Sequence, residues 1–322
     1  MKKIISVMIA AVLLCVCAAA MADMNIVALS GPTAMGMVQM MNEAEEGGSL
    51  EERGYSFTIA SAVDEVSPMI VQGTTDIAAV PANLASVLYN KTEGGVQVLA
   101  VNTLGVLYIV ENGESVQSVE DLRGRTIYAS GKGATPEYAL NYILSSNGID
   151  PEKDVTIEWK SEHAECLSTI LAEENGVAML PQPFVTTAQT KSEAIRVALD
   201  LTAEWDALQA DVENPSALIT GVVIARKAFV EENPDAVKAF MEDYKASVEF
   251  VNSSNDEAAA LVGKYGIVPE AVAQKALPAC NIVFIEGGEM QEKLEGYLSV
   301  LLEQNATSVG GKLPEADFYY AQ

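Results

Sequence analysis

The residues best suited to holding a small molecule lie in loops that occur twice. Ser30-Gly31-Pro32-Thr33 follows one apolar run, and Ser130-Gly131-Lys132-Gly133-Ala134-Thr135 follows another 100 positions later. Glycine allows close approach to the main chain, and Ser and Thr hydroxyls donate and accept hydrogen bonds. Where such a loop opens a helix, the first backbone N–H groups lack an intrahelical partner and suit an anionic or polar guest. Two more loop pairs follow the same pattern. Ser61-Ala62 answers Lys160-Ser161-Glu162-His163, and Pro81-Ala82-Asn83 answers Pro181-Gln182-Pro183. The candidate ligand-binding residues are therefore Ser30, Gly31, Pro32, Thr33, Ser61, Pro81, Ala82, Asn83, Asn102, Ser130, Gly131, Thr135, His163 and Gln182. Each residue type alone more often turns or caps a chain than binds anything. The doubling at matched places singles these out.

Catalysis finds little support in the same residues. His163 is the one histidine, and no G-x-S-x-G motif stands beside it. An enzyme would have to build acid/base chemistry from His163 with Glu162 or Asp64, acting on a small carboxylate or pyrimidine. Gly131-Lys132-Gly133-Ala134-Thr135 lacks the spacing of a phosphate loop. No metal-ligand spacing of Cys or His occurs, so neither metal nor cofactor is expected. The methionines Met35, Met37, Met40 and Met41 read as core packing.

The loops need elements to hold them, and these repeat as well. Asn25–Leu29 and Arg125–Ala129 read as strands leading into helices. Phe57-Thr58-Ile59 is echoed by Val155-Thr156-Ile157 at an offset of 98, and Ile77–Pro81 by Val177–Pro181 at 100. Strands alternating with helices give an α/β fold with mostly parallel sheets, right-handed crossovers and flanking helices. Ligands of such sheets sit beyond the carboxyl ends of the strands, where all six loops fall. The repeat predicts two lobes, residues 23–104 with 219–322 and residues 105–218, joined by a two-strand hinge. The crossings are placed near Asn102–Gly105 and Leu218–Ile224. A helix is expected from Pro136 with Thr135 as its N-cap. Another follows Asn233-Pro234, with Val237, Phe240, Met241, Tyr244 and Val248 on one face.

Composition narrows the partners. Lys2 and Lys3, the apolar run to Ala20 and the small-x-small site Ala20-Met21-Ala22 read as a signal peptide over residues 1–22. The protein is thus expected to be exported, to the periplasm or cell surface. A lipid anchor through Cys17 is an alternative, weakened by Val16 in front of it. Forty-five acidic residues against 19 Lys and Arg give a formal net charge of −26. That surface repels phosphate backbones, so nucleic acid is not an expected partner. Cys166 and Cys280 fall in different predicted lobes and are expected to be free thiols.

Three segments, in this order, resemble a known family: Gly73–Ser86, Val119–Gly124 with Thr126–Ser130, and Val177–Pro183. They are similar to the substrate-binding proteins of ABC importers that serve nitrate, sulfonate, taurine and pyrimidine-precursor ligands. The resemblance covers nearly all of the chain after residue 22. It implies the type II periplasmic-binding fold and capture of a small-molecule solute between the lobes for an ABC permease and its ATPase; the protein is expected to be a monomer. In that family the cleft is lined by the loops named above. A ligand-sensing module for a membrane partner is a further alternative.

Overall fold

The computed structural model describes residues 23–212 and 215–321. The expected signal peptide, with Cys17, lies outside the described residues. Eleven strands are defined among them: β1 (Met24–Leu29), β2 (Tyr55–Ala60), β3 (Ile77–Pro81), β4 (Val96–Leu104), β5 (Leu107–Asn112), β6 (Thr126–Ser130), β7 (Thr156–Lys160), β8 (Val177–Pro181), β9 (Ile195–Asp200), β10 (Ile219–Arg226) and β11 (Ile282–Ile285). The helices are α1 (Pro32–Met35), α2 (Val38–Glu43), α3 (Val63–Gln72), α4 (Ala82–Lys91), α5 (Thr135–Ser146), α6 (His163–Ala172), α7 (Phe184–Lys191), α8 (Leu201–Gln209), α9 (Lys227–Glu232), α10 (Pro234–Ser253), α11 (Asn255–Lys264), α12 (Glu270–Ala276) and α13 (Gly287–Gln304).

The strands form two sheets, ordered β11-β4-β10-β3-β1-β2 and β7-β6-β8-β5-β9. In the first, β1 pairs in parallel with β2 and β3, and β10 lies antiparallel between β3 and β4. In the second, β6 pairs in parallel with β7 and β8, and β5 lies antiparallel between β8 and β9. Five strands of the two orders match, with β10 in the slot that β5 fills, and β11 is an additional edge strand of the first sheet. Each unit therefore lends its next strand to the other sheet. The chain passes from the first sheet to the second between Leu104 and Leu107, and returns between Asp200 and Ile219.

Burial follows from position in the sheets. β3 and β8 are central and covered on both faces, so each is a continuous apolar run. β2 and β7 are edge strands and alternate in exposure. One hydrophobic cluster runs through both sheets, joining Leu88 and Val98 to Leu140, Trp205 and Tyr297. A second fills the other face of the first sheet, where Met35, Met37 and Met40 pack in one cluster with Phe240 and Tyr244 of α10. A third lies beneath α6 and α7. Cys166 and Cys280 are buried and free. Phe318 is buried against Tyr89, ring centroids 5.1 Å apart, and Tyr320 N–H donates to the Val98 carbonyl at 3.0 Å.

Each sheet also carries an ion-pair clamp on its antiparallel strand, at the end away from the strand-to-helix loops. Arg226 of β10 pairs with Asp76, whose other oxygen accepts from the Asn25 N–H. Glu111 of β5 is fully buried and pairs with Arg196 at 2.7 Å and Arg125 at 3.4 Å. Burial pushes the Glu111 carboxyl up. Hydrogen bonds from Ser115 and the Val116 amide, with Arg196, outweigh this and hold it below the usual carboxylate range.

Candidate functional site

Six loops leave the carboxyl ends of β1, β2, β3, β6, β7 and β8, and they face one cavity of about 250 Å³ between the sheets. Its wall includes Ser30, Gly31, Pro32, Thr33 and Pro81 from the first sheet. Gly131, Thr135, His163 and Gln182 come from the second. The turns depend on glycine: Gly31 has φ of 113° and Gly131 of 85°, in the region where side chains are strained. A different need fixes Gly221 on β10. A Cβ there would meet Thr33 Cγ2 at 2.5 Å, so only glycine lets α1 sit this close to β10.

Five of the candidate residues are not part of this wall: four stand behind it, and Ser61 lies outside it. Ala82 is buried in the hydrophobic cluster. Asn102 is fully buried, and its Nδ2 donates to the Thr33 carbonyl at 3.3 Å, which steadies the turn into α1. Asn83 accepts from Thr135 Oγ1 at 3.5 Å, and Ser61 is exposed with its N–H donated to the Glu65 carboxylate at 3.2 Å. Ser130 is buried and its hydroxyl hydrogen-bonds Nδ1 of His163. Thr135 does not cap α5. Ala134 takes that position, and the Thr135 hydroxyl instead accepts from Tyr297 of α13 at 3.1 Å.

His163 is held on three sides. It opens α6, takes the Ser130 hydroxyl on one nitrogen and packs against Phe184 with ring centroids 5.2 Å apart. Burial drives its pKa down to about 4, so the ring facing the cavity is neutral at physiological pH. Glu162 and Asp64 are exposed, and among the described residues no carboxylate hydrogen-bonds the ring. Gln182 accepts on Oε1 from the Thr186 amide and hydroxyl, which leaves its Nε2 group for the cavity.

Sequence reading missed the floor of the cavity. Thr103 of β4, Val106, Leu107 of β5 and Thr220 of β10 line it, all where the chain passes between sheets. Thr220 Oγ1 is buried without a hydrogen-bond partner among the described residues. A threonine in a strand such as Ile219–Arg226 carries no local signal that its hydroxyl faces a cavity. A larger open groove, about 680 Å³, runs along α13 between Tyr142 and Glu303, away from the strand ends.

Two sheets of matched order with a cavity between their strand ends define a two-lobed solute-binding architecture. A family model described as the ABC transporter, phosphonate, periplasmic substrate-binding protein matches residues 50–271. The chain belongs to this family and is the periplasmic substrate-binding component of an ABC transporter. No curated protein matches it. Its fold resembles that of an ABC transporter structure from Parabacteroides distasonis, 21% identical over 93% of this chain and 99% of that one, with a TM-score of 0.75. The periplasmic aliphatic sulphonate binding protein SsuA from Escherichia coli is 15% identical over 92% and 95%, with a TM-score of 0.72. The periplasmic nitrate-binding protein NrtA from Synechocystis is 13% identical over 77% and 68%, with a TM-score of 0.56. The fold is therefore the type II periplasmic-binding fold. Among the described residues no helix is long and apolar enough to cross a membrane.

Proposed function

We propose that the protein captures one small anionic or polar organic solute in the cavity between the sheets and presents it, as a monomer and without chemical change, to an ABC permease and its ATPase. The lobes would be residues 23–104 with 219–322 and residues 105–218, moving about the strand crossings. The observation that carries this is convergence. Six loops from two separate sheets meet around one cavity, and its buried polar groups include Thr220 Oγ1, which has no partner among the described residues. Similar proteins are described as binding phosphonate, sulphonate and nitrate, which sets the first solutes to try.

A thermal-shift screen over phosphonates, sulfonates, nitrate, carboxylates and their uncharged relatives tests the reading. A bound solute at 100 times its dissociation constant should stabilise the protein by about 2.7 kcal/mol. Gln182→Leu and Thr220→Val should weaken the response. A solute that stabilises the wild type and both variants equally would place binding elsewhere.

A further inference from the structure

Among the described residues, twenty line the cavity, and none of them is Lys, Arg, Asp or Glu. Its imidazole is neutral, and five positions are prolines: Pro32, Pro81, Pro136, Pro181 and Pro183. Proline has no N–H, so the starts of α1 and α5 and the loops before α4 and α7 offer fewer donors than their geometry suggests. Other loop amides are already taken. Glu65 accepts from Ser61 N–H at 3.2 Å, Glu165 from Ser161 N–H at 2.9 Å, and Glu137 from Gly133 N–H at 2.6 Å. These carboxylates sit in the first turns of α3, α6 and α5, where they offset the positive ends of those helices. The protein thus fills with its own negative charge the places that would otherwise attract an anion.

We infer that the solute is an uncharged organic molecule with an apolar body and one polar end, and that the cavity discriminates against phosphonate and sulfonate anions. This deepens, and rests on, the capture role proposed above. Moving an anion from water into a site without a cation carries a desolvation cost that scattered hydroxyls do not repay. A cation would likewise find no carboxylate in the wall. An uncharged solute meets a matched set: Gln182 Nε2 to donate, Thr220 Oγ1 to donate or accept, and His163 Nε2, with Leu29, Val63, Val106, Leu107 and Phe184 around its apolar part.

The test uses pairs of nearly equal shape: methanesulfonate with dimethyl sulfone, methylphosphonate with trimethylphosphine oxide, isobutyrate with isobutyramide. Each is titrated into the protein lacking residues 1–22 by calorimetry at constant ionic strength, in two buffers of different ionisation enthalpy. The expected result is tighter binding of the uncharged member, by roughly tenfold or more, with no proton uptake. The variant Glu65→Gln/Glu165→Gln, altered only at exposed side chains, should narrow that gap. An anion that binds wild type more tightly than its uncharged partner overturns the inference and leaves the capture role standing. So does an anion that binds with uptake of one proton, because the imidazole would then supply the missing charge. Binding by neither member of any pair would count against the capture role itself, and with it against the inference.

Discussion

In the first sheet the loop after β1 turns its hydroxyl inward, from Thr33 to the Leu29 carbonyl. In the second the loop after β6 sends its hydroxyls to other elements: Ser130 to His163, and Thr135 to Asn83 and Tyr297. The same split recurs down the cleft. The β2 loop ends on Ser61, exposed and capped by its own Glu65, whereas the matched β7 loop keeps its Glu165 cap but adds His163. The β3 loop offers Pro81, and the matched β8 loop adds Gln182. The strand–loop–helix scaffold recurs in both halves, and the distinctive polar groups of the loops lie in one. On the proposed capture role, ligand choice would reside in the loops of the second sheet and in the floor strands β4, β5 and β10, while the loops of the first sheet supply shape.

The comparison breaks most visibly at the clamps. Glu111 is fully buried between two arginines, and Asp76 serves one. Glu111→Leu should cost about 3–5 kcal/mol, because it strips two part-buried arginines of their carboxylate and leaves the Ser115 and Val116 donors without an acceptor. Asp76→Leu should cost less, as read by denaturant unfolding. Equal losses would mean that the two clamps are equivalent after all.

His163 gives the next effect, confined to the second sheet. Its folded pKa of about 4 lies below the ordinary value of 6.5, so the unfolded chain binds the proton more readily between these values. Stability should be full above pH 6.5, fall as pH drops below it, and have lost about 3 kcal/mol once pH is below 4. His163→Gln should remove that part of the acid sensitivity. The same pH slope in the variant would show that the ring is not buried neutral.

Hydroxyl removal is smaller. Thr135→Val leaves the buried Tyr297 hydroxyl without its acceptor and should cost about 1–3 kcal/mol, against about 0.5–1.5 for Thr33→Val, whose bond is local. A larger loss at Thr33 would contradict the division of labour. The smallest contrast is Glu65→Gln against Glu165→Gln. These matched caps should change stability by amounts within about 0.5 kcal/mol of each other.

The α/β class was legible because each central parallel strand is a short apolar run, and two of them, Ile77–Pro81 and Val177–Pro181, share the same apolar pattern ending in proline. The loops were legible for the same reason. The exchange of β5 and β10 was only half visible, since a strand's partner in space leaves little trace in its own residues. Thr103 and Thr220 escaped notice because a threonine in a strand is ordinary. Nothing local shows that its hydroxyl faces a cavity. Thr135 was read as a cap from its place before Pro136, but the cap fell one residue earlier, and its true partner, Tyr297, lies 162 positions away.

Filling the cavity is the most direct test of the claim that the space between the sheets is the binding site. Val63 lies at the start of α3, half-buried on the cavity wall. Val63→Trp should occupy the space while leaving the rest of the fold intact. The measurement is calorimetric titration of wild type and Val63→Trp with the solute that stabilises the wild type most, alongside melting curves without solute. The account predicts saturable binding by the wild type, none by the variant, and similar unliganded melting of the two. Equal affinity in both proteins would contradict it.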